Sequence, residues 1–303
     1  MGGGNWSNEY YETRQKTRAA KGVDAFAHDR QMRNVEVSER RCHPSLDPKK
    51  KPFRESRDSE DHPNSLAIAV FFDETASMAK IPRVVQKHLD ELMTELVRQG
   101  VVDAHVLCGA IGDATNYEIA PIQVGEWEAD IRVDDHLSNI YLEAGGGGTG
   151  HESYELILYF MARHTEIDCY EKRGKKGFLF IVGDELPYER IRADLVEEFI
   201  GVDIESDIPI DVIAEELKER YHVFFLIPTG LNAYGRSHYN SVVSRFGKLF
   251  GPEHVLKLRD ATQISKTIAE VVSNMESNVP VIEPRITNPQ ARKPARRSRV
   301  TRL

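Results

Sequence analysis

The chain has 303 residues, 40% of them hydrophobic and 29% charged, with a formal net charge of −8. That is enough apolar material for one large core or two modest ones, but the apolar runs fall short of the roughly 18–20 residues a membrane-spanning helix needs. The charge is unevenly spread: residues 1–65 hold 13 Lys and Arg against 11 Asp and Glu, residues 285–303 hold 7 Lys and Arg and no acid, and residues 66–284 hold a net −17. An acidic middle argues against a nucleic-acid-binding core and leaves the basic tail as a separate electrostatic element. The three cysteines, Cys42, Cys108 and Cys169, lack metal-ligand spacing and suit a reducing compartment. Met1 to Tyr10 has no basic start followed by an apolar stretch, so no secretory signal is expected. Trp6 stands where an N-myristoylation signal asks for Ser or Thr, and the expected location is cytoplasmic.

In chain order, residues 1–64 are polar, without sustained apolar period, and are punctuated by Pro44, Pro48, Pro52 and Pro63. They read as an extended, partly disordered N-terminal arm. Leu66 to Phe72 is an unbroken apolar run, as in a buried central strand, and ends at Asp73. Pro82 opens a helix that Gly100 closes. Strands follow at about 105–111 and 118–124, then a helix at 133–143, four glycines from Gly145 to Gly148, and Thr149. A helix is expected over 151–163, and Gly177 to Val182 is the next buried strand, closed by Gly183 and Asp184. Helices at 190–200 and 210–221, a strand at 222–227, a short helix at 239–246, a strand at 254–258 and a helix at 261–275 complete residues 65–278. Residues 279–303 form a basic tail of low hydrophobicity, expected to be disordered. The alternation predicts an α/β fold: a doubly wound, mostly parallel sheet with helices on both faces. Ligands in such folds sit beyond the carboxyl ends of the strands, where the chain order reverses.

Three strand-end segments carry chemistry. Asp73-Glu74-Thr75-Ala76-Ser77 follows the first strand, Thr149 follows the glycine run, and Gly183-Asp184-Glu185 follows the later strand. Asp73, Thr75, Ser77, Thr149 and Asp184 supply two carboxylates and three hydroxyls, the all-oxygen set that a hard cation such as Mg²⁺ takes, with Mn²⁺ or Ca²⁺ as alternatives. Thr149-Gly150-His151-Glu152 also reads as a capping box for the following helix. Asp113, after the second strand, reads as a turn residue or as a partner of the metal's ligands.

The pattern resembles the metal-ion-dependent adhesion site of von Willebrand factor A domains. That family carries Asp-x-Ser-x-Ser after its first strand, a Thr from a second loop and an Asp after its fourth strand. Asp73, Thr75 and Ser77 match the first motif with Thr in place of the first Ser, Thr149 matches the second position and Asp184 the third. The resemblance covers residues 65–278 and implies a non-enzymatic binding or scaffold module. In it, a divalent cation would bridge to a carboxylate of a partner protein, as in intracellular members that work beside AAA+ ATPases.

An alternative is a Mg²⁺-dependent phosphotransferase similar to haloacid dehalogenases, with Asp73 as nucleophile. Against it, Thr75 stands where most of those enzymes carry an acid, and Tyr188 where a second Asp belongs. A third reading gives the basic tail, with Arg292, Lys293, Arg296, Arg297, Arg299 and Arg302, contact with nucleic acid or an acidic protein. A dinucleotide enzyme is disfavoured, because the glycine run follows a helical segment and lacks the Gly-x-Gly-x-x-Gly register.

Overall fold

The computed structural model describes residues 4–75, 78–143, 145, 149–228 and 236–277, with only the backbone described at 236 and 237. The basic tail and three of the four glycines before Thr149 lie outside the described residues. Six strands form the main sheet: β1 (Leu66–Asp73), β2 (Ala104–Ile111), β3 (Ile122–Val124), β4 (Gly177–Val182), β5 (Tyr221–Pro228) and β6 (Val255–Leu258). Their spatial order is β6-β5-β4-β1-β2-β3, and every pairing is parallel except β2 with β3. All residues of β1, β2 and β4 are buried. A strand covered on both faces can be apolar at every position, which is why these strands stand as unbroken runs in the sequence.

The helices are α1 (Asn8–Ala20), α2 (Ala27–Arg33), α3 (Ile81–Lys87), α4 (Leu89–Arg98), α5 (Arg132–Ser138), α6 (Tyr154–Arg163), α7 (Asp168–Arg173), α8 (Ala193–Phe199), α9 (Ile210–Arg220), α10 (Arg236–Phe250) and α11 (Ile264–Ser277). The parallel crossover from β1 to β2 and those from β4 to β5 and β5 to β6 run in opposite directions along the sheet. Right-handed connections therefore place their helices on opposite faces. The packing agrees: α4 lies against α11, while α6 lies against α9 and α9 against α10. The order reverses at β1, whose two neighbours are β2 and β4, so the crevice of this fold opens at the carboxyl ends of β1 and β4. Phe72 is in register with Val182, which sets Asp73 beside the Gly183-Asp184 turn. Among the described residues no helix is long and apolar enough to cross a membrane.

The described part of residues 1–64 corrects the reading of an extended arm. Tyr11, Phe26 and Leu46 are buried in the main core. Asp134 of α5, fully buried, accepts from Arg14 at 3.1 Å, from Arg18 at 3.0 and 2.7 Å and from Gln86 at 3.0 Å, which fastens α1 to the domain. Arg54, also fully buried, donates to the carbonyls of Gly125 at 2.7 Å and Val124 at 2.8 Å, and Arg54–Ser56 pairs in parallel with Thr165–Ile167. A buried guanidinium is tolerable because carbonyl oxygens meet its donors.

Smaller differences have local causes. The helix begun at Pro82 is interrupted at His88, whose ring turns to Glu91 at 3.0 Å. Glu118 does not extend β3, because its side chain folds back to accept from Asp113 N at 2.8 Å. The segment expected to open a helix at His151 first makes a two-residue ribbon, pairing His151 with Leu186 and Glu152 with Pro187, so α6 begins only at Tyr154.

Candidate metal centre

Asp73 is the last residue of β1 and is fully buried. Its Oδ1 accepts from the Thr75 amide at 2.8 Å and from the Thr75 hydroxyl, and its Oδ2 accepts from the Tyr154 hydroxyl at 2.7 Å. The carboxyl is thus oriented from both sides. Burial pushes it above the usual carboxylate range and the charge of Asp184 adds to this, while the bonds from Thr75 and Tyr154 pull the other way. Asp184 is 2% exposed and follows Gly183 at the end of β4. A Cβ on Gly183 would stand 2.1 Å from the Tyr154 hydroxyl oxygen, so only glycine lets the tyrosine reach Asp73 across this turn.

Asp73, Thr75 and Asp184 therefore come together at the sheet's switch point. Ser77 lies outside the described residues. Thr149 is exposed and belongs to a neighbouring group: its Oγ1 accepts from His151 N at 3.2 Å and lies 3.4 Å from Asp113 Oδ2. It does not cap α6, whose N-cap position is Ser153. Asp113 is more than a turn residue. It is fully buried, and its Oδ1 accepts from the Thr115 amide at 2.9 Å, the Thr115 hydroxyl at 2.7 Å and the Tyr188 hydroxyl at 3.0 Å. Tyr188 is the residue standing where a haloacid-dehalogenase-like enzyme would carry a second acid.

Several side chains at this rim escape a reading of the sequence. Glu118, Glu152, Glu155 and Tyr154 are all buried around this rim. The four residues 151–154 tie three strand-end loops together. His151 and Glu152 pair with the loop after β4, Ser153 bonds to Gly112 O at 3.0 Å and to Ala114 N at 2.9 Å after β2, and Tyr154 bonds to Asp73 after β1. The one sequence signal was a pair of acids, Glu152 and Glu155, at the head of a stretch otherwise apolar from Tyr154 to Ala162. Burial pushes the Glu118 carboxyl up to about 8, with Glu143, Asp113 and Asp73 contributing, although the bond from Asp113 N opposes it. Burial raises Glu152 further, followed by the charges of Asp73, Glu118, Asp113 and Glu185.

Among the described residues no Lys or Arg forms an ion pair with Asp73, Asp113, Glu118, Glu152 or Glu155, and His238 meets Glu185 at 2.8 Å. Burial holds these acids toward their protonated forms, and a cation is what would let them ionise together, so this rim fits a bound divalent ion. No three His, Cys, Asp or Glu side chains among the described residues converge as ligands. A cation here would take few carboxylates and complete its sphere with hydroxyls and water, as Mg²⁺ accepts.

No protein-family model matches the sequence, and no curated protein matches it. Among solved structures, the chain is similar to the pilus adhesin SpaC from Lactobacillus rhamnosus GG in its open conformation, with a TM-score of 0.49 and 10% identity over 74% of this chain and 31% of that one. It is also similar to proximal thread matrix protein 1 from the mussel byssus, with a TM-score of 0.41 and 12% identity over 70% of this chain and 48% of that one. A further structure of that matrix protein, described as having a zinc-occupied MIDAS motif, matches with a TM-score of 0.37 and 12% identity over 70% of this chain and 48% of that one. The chain thus spans about a third of the adhesin and about half of the matrix protein. At these scores the likenesses carry no weight for what the chain binds.

Proposed function

We propose that the chain is a von Willebrand factor A-like binding module in which a divalent cation, Mg²⁺ or Mn²⁺, bridges to a carboxylate of a partner protein. The observation that carries this reading is the meeting of Asp73, held by Thr75 and Tyr154, with Asp184 at the reversal point of a sheet ordered β6-β5-β4-β1-β2-β3. Ser77 and Thr149 are the remaining hydroxyl ligands in this reading, the latter after turning from Asp113. The bound cation would supply a positive pole whose open position takes the partner's oxygen. Asp73 and Asp184 would hold it, and the Thr75 bond would fix which lone pairs face it. An AAA+ ATPase is a fitting partner for a module of this kind.

Thermal melting tests the proposal. A ligand at about 100 times its dissociation constant stabilises by about 2.7 kcal/mol, or roughly a 5–11 °C rise for a domain of this size. Wild type should melt that much higher in excess Mg²⁺ or Mn²⁺ than in chelator, and Asp73→Ala should show no rise. A wild type that does not respond to either ion would sink the metal-bridged reading.

A further inference from the structure

Glu152 has no role in the ligand set above, yet it is buried among other acids of the same rim. It is 4% exposed, and its Oε2 has no hydrogen-bond partner among the described residues. It cannot serve the helix, because α6 begins at Tyr154 with Ser153 at the N-cap position. Its backbone is fixed by the ribbon to Pro187, three residues beyond Asp184, and by Ser153 on the Gly112–Ala114 turn. The charges acting on it most strongly, those of Asp73, Glu118, Asp113 and Glu185, are all negative. An orphaned buried carboxyl oxygen among four other acids destabilises a fold unless something positive is shared between them.

We infer that Glu152 is a positioning residue of the cation site, receiving through its Oε2 a water of the cation's sphere and adding charge that tightens binding; the inference rests on the proposed function. The reach is through water since, among the described residues, no third carboxylate converges as a direct ligand. Groups that hold a metal's ligands or waters from outside commonly change its affinity 10–100-fold, roughly, when removed. The same acid is unfavourable in the cation-free chain, since folding buries it without a partner. Its two effects therefore have opposite signs: it weakens the empty fold and strengthens the occupied one. A residue kept only for packing would move both in the same direction.

The test is Glu152→Gln, which keeps the shape and removes the ionisable carboxyl. Mg²⁺ and Mn²⁺ affinities are measured by calorimetry, and melting in chelator is recorded beside wild type and Asp73→Ala. Expected are a melting temperature in chelator several degrees above wild type and an affinity weakened about 10-fold or more. If the variant melts lower than wild type in chelator, or fails to fold, Glu152 is a structural residue and the inference is overturned. If wild type binds the cations and the variant binds them equally well, the inference alone fails and the metal site stands. If wild type does not bind them, the proposed function falls and this inference with it.

Discussion

At the scale of single residues, the site depends on a contact between two side chains and a missing third. Tyr154 reaches Asp73 Oδ2 only because Gly183 has no Cβ, which would lie 2.1 Å from the tyrosine oxygen and 2.8 Å from Cζ. Gly183→Ala must push the ring away, at a cost of about 1–3 kcal/mol for overpacking, and release one oxygen of Asp73. The cation-induced rise in melting temperature should shrink with it. Tyr154→Phe removes the hydroxyl that the alanine would strike, so the double variant should be more stable than the sum of the two single losses predicts, by roughly 0.5–3 kcal/mol. Strict additivity in denaturant melts would show that the two positions do not share this contact. Asp73 and Asp184 were legible in the sequence because each is the first acid after an unbroken apolar run. Tyr154 was not, because an apolar-periodic helix gives no sign of which hydroxyl points at a carboxylate 81 residues away.

At the scale of elements, strands buried on both faces announce themselves, and β1, β2, β4, β5 and β6 lie close to where their apolar runs put them. The N-terminal 64 residues were misread for the complementary reason. Their attachment rests on isolated anchors, Tyr11, Phe26, Leu46 and Arg54, with polar sequence between them and no period to count. The attachment of α1 is largely electrostatic, since Asp134 takes both Arg14 and Arg18 while wholly shielded from solvent. Asp134→Ala leaves two half-buried guanidinium groups and Gln86 short of an acceptor, and should cost about 3 kcal/mol. Amide exchange should then speed up over residues 8–20 ahead of the central sheet. Uniform loss of protection across α1 and β1 would mean instead that α1 unfolds only with the whole domain. The ribbon at 151–152 was hidden in another way: Thr149 and Glu152 satisfied a capping pattern, but pairing with Leu186 and Pro187 held the chain extended and moved the helix start.

At the scale of the whole molecule, the buried charges make stability depend on pH from two sides. Glu118 titrates at about 8 in the folded chain against an ordinary 4.5, because it is buried and faces Glu143, Asp113 and Asp73. Its folded-state value is raised, so its contribution to stability is full below pH 4.5 and is lost as pH climbs toward 8. His105 behaves in the opposite sense. Burial, with the His62 ring beside it, lowers it to about 4 from 6.5. Its Nδ1 lies 3.1 Å from Ser56 Oγ and its Nε2 has no partner among the described residues, so the neutral ring is the one that fits. Its contribution is full above pH 6.5 and is lost as pH falls toward 4. Each group carries a slope of up to about 1.4 kcal/mol per pH unit inside its own window. These two contributions therefore cancel across pH 4.5–6.5, leaving Glu118 to lower stability above that window and His105 to lower it below. Urea melts across pH 4–9 test the assignment. Glu118→Gln should make the alkaline limb shallower, with Asp73 and Glu152, also raised by burial, carrying the rest, and leave the acid limb in place, while His105→Asn should make only the acid limb shallower. Excess Mg²⁺ should lift the alkaline limb of wild type, because a cation at the rim offsets the charge that Glu118 gains there. An alkaline limb that is the same in Glu118→Gln as in wild type would mean that its carboxyl is already ionised at neutral pH. The acids around it would then be shielded from one another in the cation-free chain.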